Sequence, residues 1–284
     1  MSFPYKTVLV IGATSGIGLA LAEKCIAIGS HVIAVGRRKE NLNDLVQKYG
    51  NNKVTIFQFD ITNLQGIPDF VKSYASDTLL LHLRTYFTNF PISRVTAAHT
   101  KLDSVILNSG IQRGFDFTKP ETVDLNMLDL EVTTNYLSHI HLFTHLLPHL
   151  QSLAPTLTAL IFVTSGLALV PFPRYPNYCA TKAAMHHLIL SLREQLSGSN
   201  VKVVEILPPA VQTELHDEKH QPDIKGGGRV GIPIGEFTEE AWKGLCEGSE
   251  GVPVGIIKGH YEGWERERQE GFKMLVRMMK QSGQ

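Results

Sequence analysis

Short runs that are apolar at nearly every position alternate along the chain with longer stretches of helical period. The strand-like runs lie at residues 7–11, 31–35, 54–59, 104–107, 159–164 and 202–207, with a weaker seventh near 255–257. Their lack of polar alternation is the pattern of strands covered on both faces. Helical spacing is found at 16–28, 39–49, 123–150, 177–196, 239–246 and 263–280. Strand and helix alternating in this way predict an α/β fold, a doubly wound parallel β-sheet in a single domain. No internal repeat and no linker interrupts it.

Two segments break the rhythm. Residues 65–101 contain one poor helix and then a stretch that fits neither period. Its part from Asp77 to His99 is read as an insertion between a helix and the next strand. Leu79, Leu80, Leu81, Leu83, Tyr86, Phe87 and Phe90 make it too apolar for plain disorder. A local helical protrusion at the sheet edge, away from the active site, is expected. Residues 214–235 are polar and then glycine-rich, the composition of a mobile surface connection or of a lid over a substrate.

Composition narrows the class. Of 284 residues, 43% are hydrophobic and 19% charged, the balance of a globule with a large core. Lys+Arg and Asp+Glu both total 27, so no excess positive charge recruits phosphate backbones and nucleic acid is not an expected partner. The start of the chain lacks a signal-peptide pattern, and no apolar run has the ~20 residues of a membrane span. Three scattered cysteines, Cys25, Cys179 and Cys246, suggest neither a disulfide framework nor zinc. A cytoplasmic protein without membrane or metal is expected.

The first strand runs into Gly12-Ala13-Thr14-Ser15-Gly16-Ile17-Gly18 and then a helix. Glycines let the backbone turn tightly against a pyrophosphate, and the helix N-terminus offers free N–H groups and the positive end of its dipole. In this context the G-x-x-x-G-x-G spacing resembles that of the short-chain dehydrogenase/reductase superfamily, whose domain is a Rossmann fold. The resemblance extends over nearly the whole chain, and its tail and length resemble the DltE-like oxidoreductase group. It implies a nicotinamide cofactor, a small carbonyl or alcohol substrate, and assembly as a homodimer or homotetramer.

The second strand ends at Gly36, where NAD-preferring folds carry an acid, and Arg37 and Arg38 follow. Guanidinium binds a 2′-phosphate that a carboxylate would repel. The expected cofactor is NADP(H), with Arg37 the better phosphate ligand; the alternative is two solvated arginines at a helix start. The resemblance places an adenine contact at Asp60 and Ile61, although Asp60 also suits a turn cap. Asn108-Ser109-Gly110 matches the family's Asn-Ala-Gly with serine for alanine.

Tyr178 and Lys182 are four apart on one helix face, and Ser165 precedes Tyr178 by the family's separation. With Asn135 they complete the expected catalytic set. A phenol of pKa ~10 is a poor proton donor at neutral pH, and Lys182 together with the oxidised nicotinamide is expected to bring it down. Ser165 would orient the carbonyl oxygen. The resemblance adds that Lys182 binds ribose and that Asn135 supports a water leading to Lys182. Tyr175 is excluded as the acid because Cys179, not lysine, stands four residues on. Val211 and Thr213 match the family's carboxamide grip, but Pro209 replaces a glycine there, removing an N–H and fixing φ near ~−65°.

His139, His141, His145 and His149 on one helix read as packing rather than metal ligands, and His186 and His187 as structural. The apolar stripe Phe272, Met274, Leu275, Val276 and Met279 is expected to dock on the body. The leading function is NADP(H)-linked hydride transfer with Tyr178 as acid/base. Its rivals are a nucleotide-binding sensor without redox chemistry and a redox-neutral enzyme using the same pocket.

Overall fold

The computed structural model describes residues 2–71 and 95–282. Seven parallel strands form one sheet in the order β3-β2-β1-β4-β5-β6-β7: β1 Thr7–Ile11, β2 His31–Gly36, β3 Val54–Gln58, β4 Ser104–Leu107, β5 Thr158–Val163, β6 Val201–Leu207 and β7 Gly251–Pro253. The order turns back between β1 and β4, which opens a crevice beyond the carboxyl ends of these two strands. The seventh strand lies at 251–253, earlier than the sequence reading put it, where Glu205 pairs with Gly251 and Leu207 with Pro253. Pro253 is tolerated because β7 is an edge strand.

Alternate residues of each strand feed two cores. Val8 and Val10 pack with Leu21 and Cys25 of the first helix, α1 Gly16–Ala27, on one face. Leu9 and Ile11 pack with Leu142 and Ile189 on the other. That arrangement explains why the strand segments are apolar throughout.

The long helix expected over 123–150 is two helices, Leu125–Val132 and Ser138–Ser152, joined by a π-helical turn, Thr133–Leu137. Asp124 caps its start by accepting from the N–H groups of Asn126 and Met127. The helix expected at 239–246 runs from Ile234 to Glu247. The expected insertion lies almost wholly outside the described residues. On either side of 72–94 the described chain meets itself: Thr96 Oγ1 donates to the carbonyl of Val71 at 2.7 Å.

The C-terminal helix, Arg266–Gln281, corrects another expectation. It buries none of its residues, and Met274, Leu275 and Met279 are exposed rather than docked. Its attachment is instead polar, through the preceding π-turn Tyr261–Glu265. The buried imidazole of His186 faces Glu205 at 2.8 Å through Nδ1 and Glu265 at 2.9 Å through Nε2. Arg268 donates twice to Glu265, and Thr164 Oγ1 donates to Glu205 at 2.6 Å. Arg268 also abuts His186 Nε2, a like-charge contact that the two carboxylates outweigh. Among the described residues no helix is long and apolar enough to cross a membrane.

Burial by itself pushes His186 down, but Glu205 and Glu265 override it and raise the imidazole to about 9. Because the folded pKa lies above the ordinary His value of ~6.5, the stabilisation is complete below ~6.5 and is lost as pH rises through about 9. His186→Gln should therefore melt well below the wild type at pH 6, and the gap should narrow as pH approaches 10. Thermal unfolding of both proteins across that range checks this.

Candidate active site

The crevice beyond β1 and β4 is a cleft of about 720 Å³. It is lined by Gly12, Thr14, Ser15, Gly16, Ile17, Arg37, Arg38, Asp60, Ile61, Asn108, Ser109, Gly110, Ser165, Tyr178, Lys182, Val211 and Thr213. Of the residues singled out in the sequence, only Gly18 and Asn135 are missing from its walls. Both lie beneath them.

The glycine loop leaves β1 with Gly12 at φ 86° and Gly16 at φ 53°, a region that side chains rarely adopt. Space is equally restrictive. A Cβ on Gly12 would meet Ser109 Oγ at 2.7 Å, and one on Gly18 would meet the Gly12 carbonyl oxygen at 2.1 Å and Asn108 Nδ2 at 2.5 Å. Asn108 Nδ2 itself donates to the Gly12 carbonyl at 3.2 Å, tying the end of β4 to the loop. This tight, N–H-rich turn at a helix start, with no side chain in the way, fits a dinucleotide pyrophosphate.

Beyond the end of β2 Arg38, not Arg37, is engaged with the loop. Its guanidinium donates to Thr14 Oγ1 at 3.0 Å and Ser15 Oγ at 2.5 Å, and pairs with Glu214 at 2.6 Å. Arg37 is exposed at the rim. Asp60 does cap a turn, since its Oδ1 accepts from Thr62 N at 3.0 Å and Thr62 Oγ1 at 2.8 Å, and it still borders the cleft.

At the other end Tyr178 and Lys182 project from one face of the helix Pro176–Gln195, which starts with proline in its first turn. Both are buried. Lys182 Nζ donates to the Val163 carbonyl at 3.0 Å and lies 5.5 Å from the Tyr178 ring centroid. Burial lowers the lysine to about 8, although Glu205 and Glu131 pull it upward. For Tyr178, burial raises the pKa above the ordinary phenol value, the Ser165 side chain opposes this, and Glu131 adds to it. The protein alone therefore holds the phenol above its ordinary value. Ser165 is extended at the end of β5, with its Oγ accepting from Leu167 N at 3.1 Å.

Asn135 sits in the π-turn and spends its whole amide on structure. Its Oδ1 accepts from Ile111 N at 2.8 Å, while its Nδ2 donates to Ile111 O at 2.9 Å and Thr181 Oγ1 at 3.2 Å. Sequence reasoning missed the carboxylate one turn before it. Glu131 is fully buried, accepting from Arg113 N at 2.8 Å and from Asn177 Nδ2 at 2.7 Å. Burial raises its carboxyl to about 7 against the pull of Asn177, Arg113 and Lys182. The available signal was a lone acid at i−4 from Asn135, on the same helical face.

Past β6, Pro209 is accommodated because the carbonyl before it is the group used: Pro208 O accepts from Gly166 N at 2.8 Å. Val211 forms an isolated bridge with Ile232, and Thr213 Oγ1 caps the turn that opens segment 214–235. That segment is held across the cleft by Arg38–Glu214 and Arg174–Asp223 pairs. Leu215, His216, Lys219, His220, Ile224 and Val230 close the wall. His139 is buried with its pKa lowered to about 3, chiefly by burial, which suits a packing residue. Among the described residues no group of three or more His, Cys, Asp or Glu is placed to hold a metal.

A short chain dehydrogenase family model matches residues 6–83 and 89–223. An uncharacterised oxidoreductase, DltE, of Bacillus subtilis is 32% identical over 259 residues, covering 91% of this chain and 92% of that protein. A short chain dehydrogenase from Burkholderia cenocepacia, solved in complex with NADP, is similar with TM-score 0.69 and 24% identity, over 97% of this chain and 99% of that one. A short chain dehydrogenase/reductase from Burkholderia phymatum, in complex with NAD, has TM-score 0.72 at 17% identity, over 97% and 96%.

Overpacking at Gly18 should be severe because its neighbours are backbone and a pinned amide. Gly18→Ala should lower unfolding free energy by about 1–3 kcal/mol and weaken binding of a nicotinamide dinucleotide. Denaturant melts and calorimetric titration measure the two effects.

Proposed function

The chain belongs to the short-chain dehydrogenase family, and we propose that it is an NADP(H)-dependent reductase or dehydrogenase for a carbonyl/alcohol pair. The observation that carries this reading is the convergence of Ser165, Tyr178 and Lys182 on one end of a cleft whose other end is the glycine loop. When bound, the reduced nicotinamide supplies hydride to the carbonyl carbon.

This chain's residues do the rest. Tyr178 donates the proton that the developing alkoxide oxygen takes up, and takes it back in the reverse direction. Ser165 hydrogen-bonds the same oxygen and holds the carbonyl in line. Lys182, protonated below about 8, holds the ribose and feeds the proton to the phenol. A buried, raised phenol stays protonated at rest, which suits an acid in reduction; positive charge on the oxidised ring would favour the phenolate that alcohol oxidation needs.

NADP(H) is preferred over NAD(H) in this reading because Gly36 leaves no carboxylate at the end of β2 and Arg38 lies over the loop. Arg38 is the main 2′-phosphate ligand and the exposed Arg37 assists it. The three free thiols, Cys25, Cys179 and Cys246, support a reducing, cytoplasmic setting.

A panel of ketones with NADPH, followed by absorbance, tests the activity. Tyr178→Phe should remove turnover by about a hundredfold or more, the scale of general acid catalysis, while leaving NADPH affinity nearly unchanged. Retention of most activity by Tyr178→Phe would overturn the assignment. For the cofactor, calorimetric titration should show NADPH binding more tightly than NADH, and Arg37→Ala with Arg38→Ala should erase that preference. Equal affinities in the wild type would remove the basis for NADP(H).

A further inference from the structure

Of the cations at the cleft, Arg37, Arg113 and Lys219 have no ion-pair partner among the described residues, whereas three at or beside it are held within the protein. Arg38 is paired with Glu214, Lys182 is bonded to the Val163 carbonyl, and Arg174, at the substrate end, is paired with Asp223. Arg113 is not. It is half-buried and its side chain lines the cleft, but its guanidinium is satisfied only by the Gln112 carbonyl, from Nη1 at 2.7 Å. Among the described residues no carboxylate lies within ion-pair distance of it. Burial lowers its pKa, the Glu131 carboxylate behind the backbone opposes this, and the nearby charge of Arg37 adds to it. A partly desolvated guanidinium that no carboxylate contacts is costly unless something else supplies a contacting charge.

The backbone around it is fixed with care. Asn135 holds Ile111 through both N–H and C=O, Glu131 accepts from Arg113 N, and Phe115 N donates to the Arg174 carbonyl at 3.3 Å. Glu131 also grips Asn177, the residue before Tyr178, so Arg113 is held in register with the reacting end of the cleft. Opposite it the segment from 214 brings Lys219, also without an ion-pair partner among the described residues, and His220, whose pKa both Arg113 and Lys219 depress after burial. The walls between are apolar: Leu167, Phe172, Tyr175, Ile224 and Ile257.

We infer that the substrate is an anionic ketone, with an apolar body against these walls and a carboxylate or phosphate group bound by Arg113 with help from Lys219. The inference rests on the carbonyl-reductase reading of the cleft but concerns only what is bound. Reduction is balanced as ketone plus NADPH plus one proton giving alcohol plus NADP⁺, and the anionic group takes no part in it.

The test measures binding to the protein saturated with NADP⁺. 4-Acetylbenzoate is compared with its methyl ester, and 4-acetylphenyl phosphate with 4-hydroxyacetophenone. The acid and the phosphate ester should each bind about tenfold or more tightly than the neutral partner. The tighter of the two anions identifies the group. Arg113→Ala should abolish the preference and Arg113→Lys should keep part of it, with NADPH affinity and melting temperature held. Equal binding of acid and ester, no binding of either anion, or an Arg113→Ala defect confined to NADPH would each overturn the inference. Turnover of neutral ketones without anion preference would sink it while leaving the reductase reading standing. Anion binding without turnover of any ketone would do the reverse.

Discussion

Water is excluded from the polar groups that matter most, and the rest of the molecule is arranged around satisfying them. Asn135, Tyr178, Lys182, Glu131, His186, Glu205 and Glu265 are all buried at or behind the carboxyl ends of the central strands. Leaving any one without a partner would cost more than its hydrogen bond contributes when made. Four of them are tied to different parts of the chain: Asn135 to the segment after β4, Lys182 to β5, Glu131 to the start of the helix Pro176–Gln195, and Glu205 to Thr164 beside Ser165.

Electrostatics along the catalytic helix follow from the same arrangement. Tyr178, Lys182 and His186 recur every four residues on one buried face. Glu131 lies near the first two, while Glu205 meets the imidazole of the third and contributes charge to Lys182. Negative charge thus brackets the lysine and keeps it a cation at neutral pH despite full burial. Burial raises the Tyr178 phenol and the same carboxylate at 131 adds to it, so the phenol rests protonated, and positive charge arriving in the cleft would favour its ionisation.

Much of this was legible in the chain. Strands covered on both faces announce themselves by unbroken apolar runs, and six of the seven were placed from that signal. β7 was misplaced because its three residues, Gly251–Pro253, carry almost no pattern. The tight turn of the glycine loop and the shared helix face of Tyr178 and Lys182 could be read because both depend on local spacing. Glu131 offered only its spacing from Asn135, because its partners Arg113 and Asn177 lie 18 and 46 residues away. The contact of Arg38 with Glu214 across the cleft was illegible for a similar reason. The apolar stripe on the last helix misled in the opposite sense, because amphipathic spacing states that a face is apolar but not what covers it.

The π-turn at Thr133–Leu137 connects these themes. A π-turn adds one residue to a helical circuit and is stable only where tertiary contacts support it. Here the support is Asn135, whose side chain completes the hydrogen bonding of Ile111 and reaches Thr181 on the catalytic helix. Glu131 lies in the regular turn before it and Ser138 in the regular turn after it, each facing a different partner. Without the extra residue, the offset between Glu131 and Asn135 would change relative to the fixed backbone of Ile111 and Arg113, and one of the two could not reach. The irregularity in the helix is therefore what allows a single segment to hold the chain after β4 and the helix Pro176–Gln195 together.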